Sequence, residues 1–180
     1  MASLILKMSV SLDGYVAPAD GSSGWEATGR SPDGAEWVLD TVSNAGAHLV
    51  SAATYTGWAG YWPTASGPFA NPMNEIPKVV FSNSLASADW GETTICSGDL
   101  AEAIARLKQE RPGGYLLAHG GTRLARSLVR TGLIDEYRLV VHPAILGAGE
   151  RRFLEPRTID PISTTVFSGG AVAHVFTAHP

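Results

Sequence analysis

A single cysteine, Cys96, in a chain of 180 residues excludes an internal disulfide and any metal site built from several thiolates. An excess of one charge is also missing: 13 Lys and Arg stand against 17 Asp and Glu, so no broad positive field exists to hold a nucleic-acid backbone. Long apolar runs are absent near the start. Leu4, Ile5 and Leu6 are followed at once by Lys7, which is too short a run for a secretory core or a membrane span. A cytoplasmic protein with neither membrane nor nucleic acid as partner is expected. His48, His119, His142, His174 and His179 fall in no H-x-H or H-E-x-x-H spacing, and no G-x-S-x-G elbow occurs. Metal chemistry and hydrolysis through a covalent intermediate are therefore disfavoured. What is present is ordinary globular composition, 44% hydrophobic and 17% charged, with no repeat or low-complexity break. One domain over residues 1–180 is expected.

Periodicity orders the elements. Leu4 to Val10 reads as a buried strand, with Asp13-Gly14 as a turn and Ala19 to Arg30 as a long surface loop. Ser31-Pro32-Asp33 opens a helix, in which Asp33 and Glu36 are placed to cap and Trp37, Val38, Thr41, Val42 and Ala45 form the buried stripe. Ala47 to Val50 is a short strand, followed by a loop holding Trp58, Trp62, Pro63, Pro68 and Pro72. Lys78–Phe81 and Thr93–Cys96 are further strands, and Asp99 to Arg111 is a helix stopped by Pro112-Gly113-Gly114. Gly114 to Ala118 is a strand that meets Gly120-Gly121 and then a helix ended by Gly132. Tyr137–His142 and an antiparallel pair, Thr164 to Phe167 with Ala171 to Thr177, complete the chain. Strands alternating with helices, then a hairpin, imply a mixed sheet covered on both faces.

Several residues carry possible chemistry. Gly120-Gly121 between strand and helix allows close backbone approach, so it is either a phosphate cradle or a tight turn without a ligand. Arg123, Arg126 and Arg130 share one helix face, and Arg123 lies nearest the helix start. Asp13, Asp33 and Glu36 are acids that could supply a proton, or serve as turn and cap residues. Trp25, Trp37, Trp58, Trp62 and Trp90 either wall a pocket for a planar ring or pack a core.

Ser11-Leu-Asp-Gly-Tyr-Val-Ala17, Thr54-Tyr55, Val79-Val-Phe-Ser82 and His119-Gly-Gly-Thr-Arg-Leu124 resemble the dihydrofolate-reductase-like superfamily. The stretch Leu128 to Gly149 with Phe153 is similar to its branch containing the reductase domain of the bifunctional riboflavin-biosynthesis deaminase-reductase. The resemblance implies a three-layer α/β/α sandwich with a mixed, mainly parallel central sheet and a C-terminal antiparallel hairpin. It also implies NADPH as hydride donor and a homodimer. Carried over by position, Ala17 would meet the nicotinamide carboxamide, and Gly120, Gly121, Thr122, Arg123 and Leu124 would hold or border the pyrophosphate. Thr54 would open a helix facing the cofactor, and Ser82 would lie at its adenosine end. Ser23 and Trp25 would border the substrate, with Asp13 and Glu36 as catalytic acids.

Two departures stand out: Ser51-Ala52-Ala53 replaces the family's Gly-Arg-x before Thr-Tyr, and Asn83 follows Ser82 where an arginine is usual. Losing one charge-assisted phosphate contact costs about 1.5–3 kcal/mol, so either Arg123 or Arg126 compensates, or NADH takes the place of NADPH, or the cofactor binds poorly. The implied activity is reduction of a C=N or C=O bond in a small heterocyclic or sugar-derived substrate, like 5-amino-6-(5-phosphoribosylamino)uracil reductase in riboflavin biosynthesis. No deaminase zinc signature accompanies it. Two alternatives stand beside it: a non-catalytic nucleotide-binding or regulatory dimer, and a dimer module using the Trp58–Trp62 loop.

Overall fold

The structure is a computed structural model and describes residues 1–110, 113–120, 122–154 and 156–178. Six parallel strands form most of one sheet: β1 (Leu4–Ser11), β3 (Ala45–Ser51), β4 (Lys78–Phe81), β5 (Thr93–Cys96), β6 (Tyr115–His119) and β7 (Glu136–His142). Their order is β5-β4-β3-β6-β1-β7, extended by β10 (Val172–Ala178) and β9 (Ile159–Val166), with β10 antiparallel to both neighbours. A separate two-residue pairing joins β2 (Ala17–Pro18) to β8 (Gly149–Glu150).

Alternation along the central strands puts one apolar set on each face. Leu4, Leu6, Leu49, Leu116 and Ala118 pack under α4 (Leu100–Glu110) and α5 (Thr122–Thr131), where Ile104, Leu107 and Leu128 are also fully or nearly fully buried. Ile5 and Leu117 face the other way, against Val42 of α1 (Pro32–Ser43) and Met73 of α3 (Ala70–Glu75). Val50 and Val80 meet Tyr55 of α2 (Ala52–Tyr61) on that side. The result is the expected three-layer α/β/α sandwich. Each buried leucine contributes about 1.5–3 kcal/mol, so the two faces together anchor the central strands. β9 escapes cover, being exposed along almost its whole length.

Two expectations require correction. Ala45 is the first residue of β3 rather than part of the α1 stripe, because α1 ends at Ser43 with Asn44 as cap. The Trp-containing loop is instead α2, a short 3-10 turn at Trp62–Thr64, and α3. Its residues, Ala52 to Tyr61, have no sustained polar face, so helical periodicity gives no contrast. Trp58 and Trp62 are half-buried and pack against two core clusters, which removes the basis for an exposed contact loop. Among the described residues no helix is long and apolar enough to cross a membrane.

The chain runs outward from β3 to β5, then returns to place β6 between β3 and β1. In open α/β sheets the crevice beyond the carboxyl ends of strands, at such a reversal of order, is where ligands bind.

Candidate functional site

Two cavities open at this edge. The first, of 760 Å³, lies over the ends of β3, β4 and β5 and is lined by Ser51, Ala52, Ala53, Thr54, Ser82, Asn83, Arg123, Leu124 and Ser127 among others. It gathers the N-termini of α2 and α5, where the first amides of a helix have no partner within the helix and the dipole favours an anion. Ser51 caps α2 by accepting from Thr54 N at 3.3 Å, which leaves the amides of Ala52 and Ala53 as donors beside side chains small enough to admit a phosphate. Ser82 Oγ accepts from the amides of Ser84 and Leu85, and Asn83 Oδ1 from that of Gly98, so both side chains are held in place. Arg123 is the one arginine or lysine lining this groove among the described residues. Arg126 and Arg130 face a separate hollow of 160 Å³ shared with Arg152, so Arg126 does not take the missing arginine's place.

The second cavity, of 580 Å³, lies between α1, β1, β7 and the Trp62–Thr64 turn. Its walls include Val38, Tyr61, Trp62, Phe69 and Phe167, and Lys7, Ser9, Glu26, Arg30 and His142 add polar groups. Burial pushes the Lys7 ammonium below its ordinary pKa, partly opposed by Glu26 and reinforced by Arg30.

A histidine pair stands on the same sheet face. His48 and Lys78 are neighbours in the β3–β4 register, as are Lys7 and His119 between β1 and β6. His48 Nε2 lies 3.3 Å from the Pro72 carbonyl, which can only accept, so this nitrogen carries the proton. His48 Nδ1 then accepts from His119 Nε2–H at 3.0 Å, while Trp58 packs edge-on against the His119 ring at 4.8 Å between centroids. Both rings are held neutral. Burial lowers the His48 pKa to about 4, with the Pro72 contact opposing and Lys78 adding to the shift. Burial also lowers His119 well below the ordinary range, helped by His48 and Lys7.

The sequence candidates divide between these places. Thr54, Ser82, Arg123 and Leu124 line the first cavity. Gly120 sits at the turn into α5, where a Cβ would meet Met8 Cγ at 2.8 Å, so glycine is what lets β6 turn over β1. Thr122 is the first residue of α5, and Gly121 lies outside the described residues. Ala17 pairs with Glu150 between β2 and β8 and lines neither cavity. Asp13 accepts from Ser11 Oγ, Leu146 N and Gly147 N, and these bonds, the serine's first, hold its pKa at about 2. Its carboxylate ties the loop after β7 to the end of β1. Asp33 does not cap α1 but accepts from Ser168 N and Oγ across the terminal hairpin. Glu36 and Ser23 are exposed and line neither cavity. Trp25 packs its ring on His142, 5.5 Å between centroids, at the rim of the second cavity.

Sequence reasoning passed over Lys7, Ser31, His48 and His142 as site residues, while Trp62, named as a possible pocket wall, does line the second cavity. A readable signal existed for three of them: Lys7, His48 and His142 interrupt or end apolar strand runs, and buried polar groups are the informative exceptions in a core. Among the described residues no group of three His, Cys, Asp or Glu side chains could hold a metal ion.

Residues 2–166 match the family described as the RibD C-terminal domain. The Bacillus subtilis (strain 168) protein YyaP, itself described as uncharacterized, is 26% identical over 181 residues, 96% of this chain and 93% of its own. The Thermotoga maritima diaminohydroxyphosphoribosylaminopyrimidine deaminase/5-amino-6-(5-phosphoribosylamino)uracil reductase superposes with a TM-score of 0.73 at 16% identity, over 99% of this chain and 57% of that longer one. Dihydrofolate reductase from Enterococcus faecalis, solved with NADP(H) and RAB-propyl, gives a TM-score of 0.62 at 13% identity over 99% and 97% of the two chains. The fold is dihydrofolate-reductase-like.

Proposed function

Because the chain belongs to the RibD C-terminal domain family, a family of NADPH-dependent reductases, we propose that it transfers a hydride from NADPH or NADH to a small substrate. The reacting bond is a C=N or C=O in a heterocyclic or sugar-derived molecule. The observation that supports this most is a pair of cavities, one reaching the start of α5 and the other lined by Lys7 of β1, the register neighbour of His119 at the end of β6. One is lined by hydroxyls, helix-terminal amides and Arg123, as a dinucleotide requires, and the other by aromatic rings, as a planar substrate requires. The cofactor supplies the hydride when bound, and the protein's task is to hold donor and acceptor in contact while excluding water.

Within this reading Ala52, Ala53, Ser82, Gly120, Gly121, Thr122, Arg123 and Leu124 hold the dinucleotide. Backbone amides at the start of α2 replace the arginine that family members carry there. Asp13, ionised and bonded on several sides, and Glu36, outside both cavities, are poor proton donors. Lys7 and Glu26, which line the second cavity, take that role in the proposal. The homodimer belongs to the proposal as well, with the exposed edge strand β9 and its outward Ile162 and Val166 as the surface to cover.

Titration with NADPH and NADH, followed by nicotinamide fluorescence and thermal shift, tests this reading. A ligand at about 100 times its Kd adds about 2.7 kcal/mol of stability, so saturable micromolar binding with a raised Tm is the expected result. No binding of either cofactor at millimolar concentration would overturn it. The Ser51-Ala52-Ala53 replacement favours one competing reading, a nucleotide-binding domain without turnover. Cofactor binding with no oxidation across pyrimidine, pterin and small carbonyl substrates would support that alternative.

A further inference from the structure

The groove over β3, β4 and β5 is uneven in charge along its length. At one end stand Arg123 and the first turns of α2 and α5, where a pyrophosphate would lie. The other end is formed by Ser82 and Asn83 after β4, and by Gly98 and Leu100 between β5 and α4. With the nicotinamide directed towards the second cavity beside β1, the strand order β5-β4-β3-β6-β1 sends the adenosine to this far end.

The side chains there decide what the adenosine ribose can carry. Among the described residues no lysine or arginine lines the β4–β5 end. Arg106 comes within 3.9 Å of Cys96 Sγ, yet it pairs with Glu110 on α4 and forms no part of the groove wall. What lines this end is neutral and held in orientation. Asn83 Oδ1 accepts from Gly98 N at 3.1 Å, which leaves the Nδ2 hydrogens to donate elsewhere. Ser82 Oγ accepts from the amides of Ser84 and Leu85, which leaves its O–H as a donor too. The start of α4, next to Gly98, already holds acid: Asp99 Oδ1 accepts from Glu102 N at 2.9 Å, and Glu102 lies in the first turn. These carboxylates offset the positive end of the helix dipole that would otherwise attract an anion, and they make the rim of the groove negative.

NADPH differs from NADH by a phosphate on the adenosine 2′-hydroxyl, which adds about 1.5 to 2 negative charges at neutral pH. We infer that the β4–β5 end of the groove selects NADH over NADPH: Ser82 and Asn83 donate to the free ribose hydroxyls, and the Asp99 carboxylate repels a 2′-phosphate. Asn83 and Asp99 are then the specificity-determining residues. The inference rests on the reading of this groove as the dinucleotide site, and it sets the chain apart from the NADPH use of its family.

The test measures binding to the whole chain by isothermal titration calorimetry. The probes are NADH and NADPH, together with ADP-ribose and 2′-phospho-ADP-ribose, which carry no nicotinamide. The unphosphorylated member of each pair is expected to bind about tenfold more tightly at low salt. The gap should narrow at about 0.5 M salt, where exposed charges are screened. Asp99→Asn keeps a good helix cap and is expected to tighten the 2′-phosphorylated ligands more than the others. Asn83→Arg supplies a charged fork for the phosphate and is expected to reverse the preference. Equal or tighter binding of the 2′-phosphorylated ligands by the unmodified protein would overturn the inference and leave the reductase reading standing, whether or not the variants fold. A preference for ADP-ribose without hydride transfer to any substrate would support the inference and refute the reductase reading alone. Failure of every probe to bind at millimolar concentration would refute both.

Discussion

Lowering the pH from about 7.5 to about 4.5 forces protons onto histidines that the fold keeps neutral, and His48 sets the size of the effect. His48 is fully buried and its pKa falls to about 4 in the folded protein, against about 6.5 in the unfolded chain. A depressed histidine pKa means that the unfolded state binds more protons below about pH 6.5, so stability is full above that value and declines as pH falls. Each histidine gives a slope of about 1.4 kcal/mol per pH unit, and integration to about pH 4.5 gives a loss of about 2.5 kcal/mol from His48. The cause is concrete: burial strips water from a charged ring and Lys78 adds to the shift, and in the geometry a proton on Nδ1 would face the His119 Nε2–H that now donates to it. His119 shifts in the same direction and steepens the decline. The Asp13 carboxylate, held at about 2, loses its contribution only as pH falls from about 4 towards that value, so it leaves this window clear. Urea unfolding at a series of pH values measures the slope. In His48→Gln, whose amide can still donate to Pro72 and accept from His119, the slope should be roughly halved. A flat profile in the unmodified protein, or identical slopes in the two proteins, would refute the reasoning.

Other consequences follow from the same geometry. Arg123→Ala should weaken NADPH or NADH binding by about 1.5–3 kcal/mol, a loss of roughly tenfold or more, with the fold intact by circular dichroism. Leu128→Ala, which empties a fully buried site under the sheet, should cost about 2–5 kcal/mol in urea unfolding. Gly149→Ala places a Cβ 2.0 Å from the Ala17 carbonyl at a φ of +151°, so the β2–β8 pairing should open, with lost amide protection at Val16 and Ala17 in hydrogen exchange. Asp13→Asn should lower Tm at neutral pH, and the difference from the unmodified protein should shrink as pH falls from about 4 towards about 2, where Asp13 itself is half protonated.

The strands and helices with strong contrast were legible before the structure. Leu4 to Val10, Lys78–Phe81, Thr93–Cys96 and Tyr137–His142 are short apolar runs between breakers, and each is a strand. Asp99 caps α4 as its spacing with Glu102 requires, accepting from Glu102 N at 2.9 Å. α2 escaped because its Ala, Gly, Thr, Tyr and Trp give it no polar face and its glycines and threonines offset the high propensity of its alanines, and its cap rests on Ser51 alone. In the phosphate-facing half of the candidate site, the helix start after Gly120 follows from local signals, whereas the start of α2 at Thr54 comes only with the family resemblance. The second cavity is assembled by tertiary packing from β1, α1, the Trp62–Thr64 turn and β7. No local pattern brings Ser31, Trp62 and His142 together, and acids such as Asp13 attract a catalytic reading although their bonds in the fold are structural.

A crystal structure of the chain with NADPH tests the central claim most directly. The account predicts a pyrophosphate between the N-termini of α2 and α5 within reach of Ala52, Ala53 and Arg123. The nicotinamide should then pass the β6–α5 junction near His119 towards the aromatic-walled cavity. A dinucleotide bound anywhere else, or a nicotinamide pointing away from that cavity, would contradict it.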